Sequence, residues 1–205
     1  VKIQGNVAGL KGTVKLLVEQ PNQDGLAVLA EQEVTDGKIH LVTDELQIPA
    51  RVWVDIDGKN TVEFIVDSKD QIWIQGKAKF PDQIEVKGSG LGTEYAKLKK
   101  IFKEKYEGPL VPIDKSIQRI VDREKRSKDD DVMLGVYQMQ RLRYLRARAN
   151  YAKTLIEANL NKELSLFLLR DELSDSVDLQ KRLFRKLEIQ NKESNIYQNV
   201  AAQLQ

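Results

Sequence analysis

Cysteine is absent from these 205 residues, and histidine occurs once, as His40. No thiol nucleophile, disulfide, thioether-linked haem or cysteine-bound metal can come from this chain. Mechanisms that need two imidazoles, and multi-histidine metal sites, are excluded with them. Long apolar runs are also missing. The longest are a few residues, as at Leu166-Phe167-Leu168-Leu169, whereas a bilayer helix needs about 20, so no membrane span is expected. Neither sign of charge dominates. The chain has 33 basic and 31 acidic side chains, for a net charge of +2, and nothing overall demands a polyanionic partner. What remains is 41% hydrophobic and 31% charged, enough apolar material for a packed core.

The chain changes texture near residue 90. Residues 1–90 carry 10 Lys or Arg against 14 Asp or Glu, and residues 91–205 carry 23 against 17. Both Trp residues lie in the first part. The second part has three glycines, Gly92, Gly108 and Gly135. Apolar residues alternate with polar ones before residue 90 and recur every three or four residues after it. The expectation is an α+β chain: an antiparallel β-sandwich-like domain over 1–90 and a helical domain over 91–205.

Eight strands are expected, at 1–7, 12–19, 26–34, 38–43, 51–56, 61–66, 71–75 and 83–87. Asp24-Gly25, Asp36-Gly37 and Asp57-Gly58 supply turns between them. Turns every 8–12 residues suit a sandwich or a barrel. A parallel sheet calls for crossover helices, and no helical pattern precedes residue 93. Beyond it, Thr93 is expected to cap a helix through Tyr95, Leu98, Phe102 and Tyr106 that stops at Gly108-Pro109. Further helices are expected from Asp114, from Asp129-Asp130-Asp131 to about Asn159, over Lys162–Leu173, from Ser176 or Asp178, and from Ser194.

Few residues invite chemistry. His40 lies between Ile39 and Leu41 with no evident partner for acid–base work, so a structural or surface role is expected. Gly88-Ser89-Gly90-Leu91-Gly92-Thr93 sits between strand and helix, where phosphate-cradling loops occur. It lacks the Gly-Lys-Ser/Thr ending, the dinucleotide spacing and a βαβ setting, so its glycines are read as a turn out of the sheet. Arg141, Arg143, Arg146 and Arg148, with Tyr137, Tyr144 and Tyr151, offer a basic stretch that nucleic acid could use. Leu142, Leu145 and Ala149 interrupt it, and a solvated helix face is the default. Asp129-Asp130-Asp131 suits helix capping better than a cation site, because adjacent carboxylates diverge. Asp55 and Asp57 share a strand face as a glycosidase pair might, but lead into a turn. No catalytic, cofactor-binding or metal-ligating residue is assigned, and no cofactor is expected.

Several segments in their order resemble a known family. The chain opens with Val1-Lys2-Ile3-Gln4-Gly5-Asn6-Val7 and a strand at Gly12–Val18, followed by Val34-Thr35-Asp36-Gly37-Lys38-Ile39. Most distinctive is Ile84-Glu85-Val86-Lys87-Gly88-Ser89-Gly90-Leu91-Gly92-Thr93-Glu94-Tyr95, a Val-x-Gly-Ser strand end leading to Glu-Tyr and a charged helix. Ser174-Asp175-Ser176-Val177-Asp178-Leu179, Leu183-Phe184-Arg185-Lys186-Leu187 and Asn195-Ile196-Tyr197 extend the likeness. Together they resemble the N-terminal domain of unknown function found in Bacteroidetes cell-envelope proteins, where it precedes a thioredoxin-like domain of the thiol–disulfide interchange or peroxide-reductase type.

The resemblance implies a β-sandwich followed by helices, export to the periplasm, commonly as a lipoprotein, and no catalytic residues in this part. The Trp-Cys-x-x-Cys segment of the neighbouring enzyme has no counterpart here. The chain starts at Val1 without methionine and ends within a helical pattern, as expected of a trimmed piece with a secretion signal before it and a thioredoxin-like domain after it. The expected function is that of a non-catalytic accessory domain of a periplasmic thioredoxin-like oxidoreductase, serving binding, positioning or dimerisation. Its expected partners are that downstream domain, protein clients and a second copy. A stand-alone envelope module binding peptide or glycan is the alternative, and nucleic-acid binding through the arginine helix a weaker one.

Overall fold

In the computed structural model, which describes residues 1–68 and 71–205, the alternating segments become β1 (Lys2–Ala8), β2 (Gly12–Glu19), β3 (Leu26–Val34), β4 (Lys38–Val42), β5 (Ala50–Asp55), β6 (Thr61–Val66), β7 (Gln71–Lys77) and β8 (Glu85–Lys87). They form two four-stranded sheets, ordered β4-β1-β7-β8 and β3-β2-β5-β6. The alternation places every second side chain between the sheets. Ile3, Val7, Ile39, Leu41, Ile72 and Ile74 of the first sheet meet Val14, Leu16, Val18, Val52 and Val54 of the second in one buried cluster. The antiparallel sandwich read from the turns is therefore present, with one departure: β1 and β7 run parallel, Ile3 opposite Ile72 and Gly5 opposite Ile74. A parallel pair needs a long crossover. Here the chain from β2 to β6, most of it in the second sheet, supplies it in place of a helix.

The helices are α1 (Gly90–Phe102), α2 (Gly108–Val121), α3 (Lys128–Ala158), α4 (Leu164–Glu172), α5 (Val177–Phe184) and α6 (Asn195–Gln203). Ser89, not Thr93, caps α1, its side chain accepting from the Gly92 N–H at 2.8 Å. The hydroxyl of Thr93 instead donates to the Ser89 carbonyl. Nor does the chain leave its helix at Gly108-Pro109. A π turn at Lys103–Glu107 joins α1 to α2, and Gly108 N–H bonds the Lys103 carbonyl five residues back. Pro109 has no N–H, and its ring would crowd the carbonyl four residues earlier; widening the turn lets the helix pass the proline. The second helix thus begins at Gly108 and not Asp114. The start of α3 follows the acidic signal: Ser127 and Asp130 form a reciprocal capping box.

The helices gather a second core around Phe102, Ile156, Leu166, Phe167, Leu169, Leu183 and Ile196, and Ile65 of β6 belongs to it. This core lies on the outer face of the second sheet. The last segment folds back to the sandwich. Asn195 and Ile196 donate their backbone N–H groups to the carbonyls of Gln47 and Pro49, and the side chains of Asn195 and Asn199 reach the Glu19 carbonyl. Both α2 and the distal part of α3 project away from this body as an antiparallel pair.

Candidate functional site

One long side of the sandwich is left open. Strands β6 and β8 are both edges of their sheets, and α1 runs beside them. Between these three elements lies a cleft of about 750 Å³. Val62, Phe64, Ile65, Ile84 and Val86 form its apolar walls, Thr93 and Ala96 its helical rim, and Arg51, Glu63, Lys99 and Asp171 its polar end. Among the described residues no strand covers the outer edge of β6.

The polar end is built by residues far apart in sequence. Arg51 sits on β5 at an outward position and forks onto Asp171 at the end of α4, with N–O distances of 2.9 and 2.5 Å. Its Nε also reaches Glu63 at 3.2 Å. The guanidinium stacks near Tyr95 and Phe167, 5.8 and 5.5 Å from the ring centroids. The Tyr95 hydroxyl donates to Asp171. Deeper in, Glu172 has a fully buried side chain that binds Lys99 and Arg148, and Arg148 also reaches Glu107 at 3.0 Å.

These contacts determine protonation. Burial alone would push the Asp171 carboxyl up; the hydrogen bonds and charge of Arg51, with the Tyr95 hydroxyl, outweigh it and hold the group below the usual carboxylate range. Burial and the Asp171 charge push the Tyr95 phenol well above its ordinary value. Burial also opposes the Arg51 charge, and Asp171 more than offsets that, so Arg51 stays ionised. Within the cluster every charged side chain faces at least one of opposite sign. It can orient a bound group through hydrogen bonds.

The residues singled out by sequence lie elsewhere and do not converge. His40 is exposed on the outer face of the first sheet; its Nδ1 lies 2.8 Å from Gln4 Nε2. The glycine-rich turn is occupied by the protein itself: Gly92 N–H goes to Ser89, and Leu91 N–H to the Asp67 carboxylate at 2.7 Å. Asp55 accepts from the N–H groups of Asp57 and Gly58, and Asp57 from those of Lys59 and Asn60, which makes both of them turn residues. The four arginines divide between two sides of α3. Arg141 pairs with Asp114 of α2 and Arg148 with Glu172, whereas Arg143 and Arg146 are exposed, Arg143 at the border of a groove shared with Pro109, Pro112 and Ile113 of α2. Tyr151 packs on Phe102 and Tyr106. Among the described residues no group of His, Asp or Glu is arranged to hold a metal ion, and no helix is long and apolar enough to cross a membrane.

Sequence reasoning missed Arg51, Tyr95, Lys99, Asp171 and Glu172. The available signals were weak: an arginine in an alternating strand, and the charged triplet Arg170-Asp171-Glu172 closing an otherwise apolar helix. Comparison of the chain with protein-family models, curated proteins and solved structures returned no match.

Proposed function

We propose that this chain is a non-catalytic binding and positioning module of the cell envelope, and that its cleft takes an extended stretch of polypeptide. The observation that carries this reading is the open edge of β6 facing α1 across an apolar floor. A strand edge offers main-chain hydrogen bonds to any extended segment, and pockets beside it select alternate side chains. Unfolded chains supply such segments. The resemblance to domains that precede thioredoxin-like enzymes gives the module a purpose: it would hold a client near a reactive thiol that this cysteine-free chain cannot provide. Holding the client raises its effective concentration at the thiol.

The test is a titration of the isotope-labelled chain with a reduced and alkylated, permanently unfolded protein, followed by NMR. Shifts are expected at 62–65, 84–86 and 92–99. Ala96→Arg, on the exposed cleft rim, should abolish them while leaving the rest of the spectrum in place. Shifts confined to other surfaces, or none at the highest concentration of unfolded protein, would discard this reading.

A second reading has its own observation. Trp73 stands 41% exposed on the outer face of the first sheet, in register with Gln4 and, beyond it, His40. A shallow depression there is lined by Gln4, Asn6, Lys38, His40 and Trp73. An exposed indole among amide side chains suits stacking on a sugar ring. Quenching of Trp73 fluorescence by soluble envelope saccharides, lost in Trp73→Ala, would favour it over the cleft.

A further inference from the structure

Helix α3 has one side against α2 and the opposite side bare. Leu134, Tyr137 and Leu145 are half-buried on the inner side, where Arg141 pairs with Asp114. On the outer side lie Asp129, Val132, Val136, Met139, Arg143 and Arg146, separated by alternating steps of three and four residues. That spacing is the seam of a coiled coil. Val132 is 65% and Met139 61% exposed, and Met133, Val136 and Leu142 beside them are also bare. These include both methionines of the chain, a residue type that suits adaptable contact surfaces. Among the described residues Asp129, Arg143 and Arg146 form no ion pair.

We propose that two copies of this chain associate through this face, with their α3 helices antiparallel and the two-fold axis between Tyr137 and Gln138. The seam reads the same from either end about that point. Val136 meets Met139 of the second copy, Val132 meets the aliphatic stem of its Arg143, and Asp129 meets its Arg146. Leu142 faces Gly135 of the second copy, where a side chain's absence leaves open space. Antiparallel helices bring matching flank positions together in this way.

Charge selects the arrangement. A parallel pair would stack Asp129 on Asp129 and both arginines on their own kind, at the positions where like charges repel. The antiparallel pair replaces all of these with opposite charges or a stem over an apolar side chain. An unrelated partner would not require the face to complement itself, which is the requirement of a two-fold interface. The seam spans about 26 Å at 1.5 Å per residue and falls short of three heptads, so the association belongs to the weak, reversible class.

The absence of cysteine makes the test clean. Asp129→Cys and Arg146→Cys are prepared separately, then oxidised alone and as an equimolar mixture, beside sedimentation of the unmodified chain from about 5 μM to about 1 mM, the range in which weak pairs change state. The expected result is a concentration-dependent dimer, a disulfide joining one variant to the other in the mixture, and little product from either variant alone, since each introduced thiol lies about 26 Å from its own copy. Met139→Lys, on a bare surface, should weaken dimerisation about tenfold or more with unchanged circular dichroism. Disulfides formed by each variant alone but not between them would overturn the antiparallel arrangement. A chain that stays monomeric throughout, or a dimer indifferent to Met139→Lys, would overturn the interface.

Discussion

At the scale of single residues, Arg51 joins the two parts of the molecule. Its side chain is 11% exposed and that of Asp171 18%, so each leaves water for the other. Breaking such a pair from one side strands a buried charge. Asp171→Asn should therefore destabilise the fold by about 3 kcal/mol, read by chemical denaturation, whereas the double replacement Arg51→Met with Asp171→Leu should cost clearly less. Equal losses would mean that the pair acts through shape and not charge. The pH dependence follows from the same contacts. The Asp171 carboxyl is held low, so its stabilisation is complete above the ordinary carboxylate range near 4 and is lost as pH falls through its depressed value. The Tyr95 phenol is pushed up, so its contribution is complete below the ordinary phenol value of about 10 and is lost as pH rises beyond it. Tyr95→Phe should flatten the alkaline limb of a stability–pH curve and leave the neutral region parallel to the original; an unchanged alkaline limb would refute this assignment.

At the scale of elements, the parallel pairing of β1 and β7 depends on Gly5. A Cβ at that position would collide with the Ile74 carbonyl oxygen, and backbone on both sides prevents relief. Gly5→Ala should cost more than about 2 kcal/mol, measured by denaturation against Gly135→Ala, which meets open space and should be neutral or slightly stabilising in its helix. This pairing also marks where local reading stops. Strand positions were legible because alternation and the Asp-Gly turns are properties of neighbouring residues; Val14, Leu16 and Val18 announce a buried face by themselves. Which strands become neighbours is decided by closures such as Gln4 beside Trp73, and no local pattern carries that. The same limit explains the helix at Gly108-Pro109. Proline excludes a regular turn there, but not a widened one held in place by Phe102 and Tyr106 packing on Tyr151. The cleft was illegible for the distance reason alone: Arg51 and Asp171 lie 120 residues apart, and Tyr95 and Asp171 76.

At the scale of the whole molecule, the sandwich and the nearby helices share more than a chain connection. Ile65 of the sheet is buried in the helical core, Asp171 of α4 closes on Arg51, Arg170 pairs with Glu19 at 2.5 Å, and α6 returns to the carbonyls of Gln47, Pro49 and Glu19. Removing either part would uncover apolar surface and strand buried charge in the other. Unfolding followed by helical circular dichroism and by fluorescence of Trp53 and Trp73, which both lie on strands of the sandwich, should therefore trace one transition. The α2–α3 projection is different. Toward its tip Val132, Met133, Val136 and Met139 are exposed, as are the described residues from Val121 to Asp129. Local opening tracks the scarcity of buried contacts, so amide exchange in dilute solution should be fastest at 121–135 and slow toward Ala152 and Ile156, which are fully buried. If the bare face of α3 is an interface, protection of 129–146 should rise with protein concentration while that of the sandwich stays constant. Two separate transitions on heating would refute the shared packing of sandwich and helices, and uniform exchange along α3 would mean that the projection and the body do not differ as their packing requires.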